Sequence, residues 1–75
     1  MQTSLDRVCV GKEVVVTSVA LPETLQSRLL DFGLIPGTRV CCSYRSPGGQ
    51  VTALGCRGAV IAMRTRDMRG IQVRC

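Results

Sequence analysis

The side chains in this 75-residue sequence that could do chemistry are five cysteines, ten basic residues and five carboxylates, with no histidine among them. Asp6, Glu13, Glu23, Asp31 and Asp67 form no pair whose spacing suggests acid–base work, and a cysteine nucleophile would need a base that the sequence does not supply. An enzyme is therefore not expected. Soft metal ligation is the sharper possibility, and Cys41, Cys42 and Cys56 are the thiols that could contribute to it. Their spacing argues against a site. No C-x-x-C pair occurs, and Cys41 and Cys42 are adjacent on a strand-like segment, which sends their side chains to opposite faces. Cys56 and one of that pair are expected to act as small core residues, as are Met63 and Met68. No metal site and no cofactor are expected. Together with Cys9 and Cys75 the thiols are odd in number, which fits a reducing compartment better than a disulfide framework.

The glycine-rich stretches do not restore an enzymatic reading. "GLIPGT" (33–38) lacks the lysine of a phosphate-binding loop, and "SPGG" (46–49) does not open a helix. The formal charge of +5 favours an acidic or polyanionic partner. Its arginines are scattered from Arg7 to Arg74, so neither a polybasic tail nor a membrane-surface helix can be drawn. Small basic barrels often bind single-stranded nucleic acid by stacking bases on aromatic rings, but Phe32 and Tyr44 are the only aromatics here, and Phe32 is expected to be buried. Charge without stacking argues against that partner. The N-terminus has no basic segment followed by a long apolar run, and no stretch approaches the ~20 apolar residues of a membrane span, so a cytoplasmic protein without membrane insertion is expected.

The elements that would position these groups follow from period and punctuation. A chain this short buries only about 60% of the surface its unfolded form exposes, so one small, aliphatic core is expected. "KEVVVTSVAL" (12–21) reads as a buried strand. In "PETLQSRLLDFG" Pro22 and Glu23 suit a helix start, and Leu25, Leu29 and Phe32 recur at helical spacing. Gly33 stands where a left-handed residue ends a helix, with Leu34 folding back on Leu29. Pro36 and Gly37 have the chemistry of a type II turn leading into the strand "TRVCCSYR". "SPGG", with Pro47, is a further turn, "QVTALGCR" a strand, Gly58 a break, "AVIAMR" a strand, "TRDMRG" a turn and "IQVRC" a last strand. The fold class is mainly β: a strongly bent, five-stranded barrel, closed to remove its edges, with one short helix inserted after the first strand and covering the open side. Gly55 marks a bend or bulge.

Three of these motifs, "LLDFGLIPGT" before a strand, "SPGGQ", and "RGAVIAMR" with "IQV", resemble in register the FeoA family, small accessory proteins of bacterial ferrous iron uptake. The resemblance runs from about Leu25 to Val73, with Leu5 and "VGKEVVV" fitting the family's opening strand. It implies one FeoA-like domain over residues 1–75, an SH3-like barrel, and a partner: the cytoplasmic G-protein portion of the membrane transporter FeoB. The chain would be a monomer or weak oligomer that modulates the transporter. The sequence departs from the family pattern at Gly48 and Gly49, at Thr52 where an apolar residue is common, and in its cysteine content. A related barrel ends metal-dependent repressors of the DtxR type, so the alternative is a barrel that binds a transition metal or nucleic acid by itself.

If Leu34 turns inward, Ile35 points away from the core. Leu30 lies at the margin of the helix's apolar stripe, and Arg28 and Arg39 flank the turn. Arg28, Leu30, Ile35, Pro36 and Arg39 are therefore the expected partner-binding residues, an apolar centre with a basic rim held on the turn residues Gly33, Leu34 and Gly37.

Overall fold

The computed structural model describes residues 2–75. Its elements run β1 (Gln2–Ser4), β2 (Glu13–Val19), α1 (Glu23–Asp31), β3 (Arg39–Arg45), β4 (Val51–Cys56), β5 (Ala59–Arg64) and β6 (Ile71–Arg74), with 3-10 turns at Leu5–Arg7 and Thr65–Gly70. The strands form one antiparallel sheet in the order β1-β6-β2-β3-β4-β5. Six strands at ~4.8 Å spacing, laid flat, would make a thin plate. The molecule instead measures 28 × 25 × 23 Å, so the sheet is curled around its own inner face.

Alternation along each strand explains which side is inner. Val14 and Val16 of β2, Val40 and Cys42 of β3, Thr52, Leu54 and Cys56 of β4, and Ile71 and Val73 of β6 are all buried. Leu5 and Met68 from the two 3-10 turns, Val8 after the first of them, Met63 of β5, and Leu29 and Leu34 from the helix and its exit complete the core. The pairing register shifts at Thr17 between β2 and β6, and at Ser43 between β3 and β4. Such bulges bend a strand and increase its twist, and here they fall in β2 and β3, the two strands at the middle of the sheet.

Four expectations change. There are six strands, because Gln2–Ser4 pairs with β6; three residues are too few to leave a periodic signal. The inserted helix consequently follows the second strand. The sheet curls without pairing β1 to β5, and the gap is filled by the two 3-10 turns, which pack against each other. The helix is not the lid: of its nine residues only Leu29 is buried, an anchor of about 2 kcal/mol. Finally, the bulge lies in β3 and not at Gly55, whose missing side chain makes room for Ser43, since a Cβ there would stand 3.1 Å from Ser43 Oγ.

The Ser43 bulge also explains Thr52. It leaves Tyr44 opposite Ala53 on the outer face and turns Arg45 inward opposite Thr52. Arg45 Nε donates to Thr52 Oγ1 (3.1 Å), its Nη2 donates to the Val8 carbonyl (3.1 Å), and Thr52 Oγ1 is 2.8 Å from Thr65 Oγ1. A buried hydroxyl is tolerated because both its hydrogen-bonding directions are used.

Candidate functional site

The link from α1 to β3 is the most tightly specified segment of the surface. Phe32 is the last residue in helical conformation, and Gly33 follows at φ +83°. The Leu34 N–H donates to the Leu29 carbonyl (3.0 Å) and the Gly33 N–H to the Leu30 carbonyl (2.9 Å), the paired bonds of a Schellman stop. Leu34 is thereby driven into the core beside Leu29. The next four residues form the type II turn: the Thr38 N–H donates to the Ile35 carbonyl (3.0 Å), with Pro36 and Gly37 (φ +95°) at its centre.

Thr38, which carries no signal in the sequence, locks the two turns together. Its buried hydroxyl donates to the Gly33 carbonyl (2.9 Å) and accepts from the Ile35 N–H (3.3 Å). Its carbonyl accepts from the Val16 N–H, and the Gly37 N–H donates to the Val16 carbonyl, tying the corner to β2.

The corner displays three large apolar side chains: Leu30 is 61% exposed, Phe32 48% and Ile35 38%. Phe32 corrects the expectation from helical spacing. The helix ends before its ring can follow Leu25 and Leu29 onto the core, and Leu34 takes the inner position instead. Arg28, Pro36 and Arg39 are exposed as well, so all the expected partner-binding residues lie at the surface within residues 28–39. Arg39 reaches Glu13 at 3.9 Å, but both side chains are largely in water and the pair holds little.

A third basic residue, beyond Arg28 and Arg39, stands beside the corner without a signal in the sequence. Arg57 and Gly58 occupy the two-residue turn between β4 and β5, both with positive φ (52° and 81°). This is the mirror-image turn that suits the twist of a hairpin, and Gly58, expected as a break, is its second central residue. The Arg57 side chain lies over Gly33, so close that a Cβ on Gly33 would be 3.4 Å from Arg57 Nη1. Between the corner and this hairpin runs an open groove of about 690 Å³, lined by Thr38, Arg39, Cys41, Arg57 and Val60 among others. Pro47, by contrast, sits in the turn at the opposite end of β4, where the Gly49 N–H closes onto the Ser46 carbonyl (2.8 Å).

The thiols do not converge. Cys42 and Cys56 are buried in the core, Cys41 is half-exposed on the outer face, and Cys9 and Cys75 are exposed. Among the described residues, no three groups of ligand type stand close enough to hold a metal ion. No described helix is long and apolar enough to cross a membrane.

The sequence matches the FeoA domain over residues 3–75. The chain belongs to the FeoA family. It is similar to the FeoA protein of Chlorobium tepidum, at 31% identity over 95% of this chain and 68% of that one, with a TM-score of 0.91. Iron(II) transport protein A of Clostridium thermocellum shares 21% identity over 95% of this chain and 44% of its own, with a TM-score of 0.87. No match was found among curated proteins. The IdeR protein of T. acidophilum has the same fold in one part: 16% identity, 96% of this chain against 33% of that one, TM-score 0.82. The FeoA fold, an SH3-like barrel, is thus both a separate unit and a module of larger chains. Within the family, "LLDFGLIPGT" acquires a physical meaning here: it is the helix stop and turn that hold Leu30, Phe32 and Ile35 out from the barrel.

Proposed function

We propose that this FeoA-family chain is a cytoplasmic accessory protein of ferrous iron uptake that docks on the G-protein portion of the FeoB transporter and modulates it without catalysis of its own. The observation that carries this reading is the corner. Three large apolar side chains are exposed on a backbone fixed by the Schellman stop, the type II turn and Thr38, within a rim of Arg28, Arg39 and Arg57. Residues held this firmly lose little freedom on binding, and an apolar centre with a polar rim is how protein interfaces are commonly built. Net positive charge adds attraction toward an acidic partner surface. The fold shared with IdeR supports the barrel alone, and the divergent thiols give a metal-binding reading no support.

The test is capture of the soluble G-protein portion of the transporter, with and without guanine nucleotide, by wild type and by Leu30→Asp and Ile35→Asp. Both variants are expected to melt within about 0.5 kcal/mol of wild type, because exposed positions tolerate substitution. Both are expected to lose capture. Undiminished capture by the folded variants removes the corner from the interface.

A further inference from the structure

The two edges of the sheet are built differently. β1 is three polar residues, Gln2–Ser4, the short kind of edge that resists pairing with other chains. β5, "AVIAMR", is paired with β4 in unbroken register from Ala59 to Arg64. It lacks the proline, the bulge or the central charge that commonly protects an edge strand.

The phase of the hydrogen bonds tells which groups this edge offers. Arg57 and Gly58 both have positive φ, and a two-residue turn of that kind is closed by a doubly bonded pair, here Cys56 and Ala59. Alternation then bonds Ile61 to Leu54 and Met63 to Thr52, and the Thr65 N–H donating to the Gln50 carbonyl continues the same phase. The N–H and C=O groups of Val60, Ala62 and Arg64 therefore point away from β4. Among the described residues they have no backbone partner, and the 3-10 turns that fill the gap toward β1 form no backbone hydrogen bond to β5. All three residues are exposed, Val60 to 68%.

Their side chains say what would lie against them. Val60 and Ala62 stand on the outer face, opposite to the buried Met63, and make an apolar step beside the open backbone. Positive charge flanks that step. Arg57 precedes the strand, Arg64 ends it and Arg66 follows, all exposed and none paired with a carboxylate among the described residues. The row of backbone groups selects an extended polypeptide over a small anion, and the arginines set the sign of the residues at its ends. A second copy of the chain does not fit. Pairing β5 with β5 would bring two such sets of arginines together, on chains carrying +5 each.

We infer that the free edge of β5 is a docking site for an extended, acidic segment of another protein, which adds a strand to the sheet with apolar residues against Val60 and Ala62 and carboxylates toward Arg57 and Arg64. The experiment is a titration of the full chain with the capped peptide Glu-Thr-Val-Thr-Val-Thr-Glu, followed by amide NMR. Saturable binding is expected, with slowed amide exchange at Val60, Ala62 and Arg64 and little change at Ile61 and Met63, whose N–H groups are already bonded. The same peptide with N-methylated valines keeps its charge and loses the ladder, so it should not bind. Replacing its glutamates by lysines should weaken binding about tenfold or more. Ala62→Pro removes an N–H that the sheet does not use; it should melt near wild type and bind about tenfold more weakly. Val60→Glu, at an exposed position, should fold and bind about fivefold more weakly or worse. Leu30→Asp should bind the peptide as wild type does, which separates failure of this site from failure of the corner. Equal binding of the N-methylated peptide, shifts at the arginines without slowed exchange at Val60 and Ala62, or self-association of the free chain that protects those same amides would each overturn the assignment.

Discussion

The corner at residues 33–38 and the turn at residues 65–70 both deliver the chain into a strand, yet they are held by different physics. The corner is local: each bond that fixes it joins residues close in sequence or reaches the neighbouring Val16, and each special conformation falls on a residue type suited to it. The later turn is fixed from a distance. Met68 is fully buried, Thr65 is bonded to Thr52, Arg69 faces Asp6, and Gly70 lies directly against the backbone of Ala20, whose N–H donates to the Gly70 carbonyl (2.7 Å). Local rules make a turn readable from the sequence. Long-range crowding makes one stable without announcing it.

Substitution should expose the contrast most strongly at the two glycines. At Gly70 a single added Cβ would run into the Ala20 carbonyl oxygen and come within 2.7 Å of the Leu21 side chain, although its φ is one that any residue adopts. Backbone cannot yield cheaply, so Gly70→Ala should cost about 3 kcal/mol or more and lower Tm by roughly 15 °C in thermal melts. A melt within a few degrees of wild type would mean that β2 and the turn are not packed as described. Gly33→Val should cost less, about 1–2 kcal/mol, because its penalty is conformational and the nearest side chain, that of the exposed Arg57, is free to swing away. Should Gly33→Val prove the more damaging of the two, the distinction between local and distant control fails. The smallest effect is expected at Thr38→Val, which keeps shape and removes the hydroxyl: about 1 kcal/mol, with faster amide exchange at Ile35 as the more direct reading. Unchanged exchange there would show that the two turns hold each other without Thr38.

The same division explains what could be read beforehand. The helix stop at Gly33, the inward Leu34, the type II turn at Pro36 and Gly37, and the opposite faces of Cys41 and Cys42 rest on neighbours in sequence, and all stand in the structure. Phe32 was misplaced because periodicity does not say where a helix ends relative to its last apolar residue. Strand β1 is too short for a pattern and exists only because β6 offers an edge. The inward Arg45 follows from one extra residue in β3, which reverses the faces of everything after it. Of the proposed interaction surface, the exposure of Leu30, Ile35 and the flanking arginines was legible. Arg57 was not, since nothing in "CRGA" says that the hairpin folds beside residue 33.

Arg57 has a consequence for anyone who engineers this protein. It is the one residue other than glycine with positive φ among those described, and an L-residue there is held at a cost of roughly 1 kcal/mol that glycine would not incur. A library sorted for heat resistance would therefore enrich Arg57→Gly early, and each such winner would carry a corner stripped of part of its positive rim. If the corner docks as proposed, thermal selection and partner recognition pull against each other at this single position.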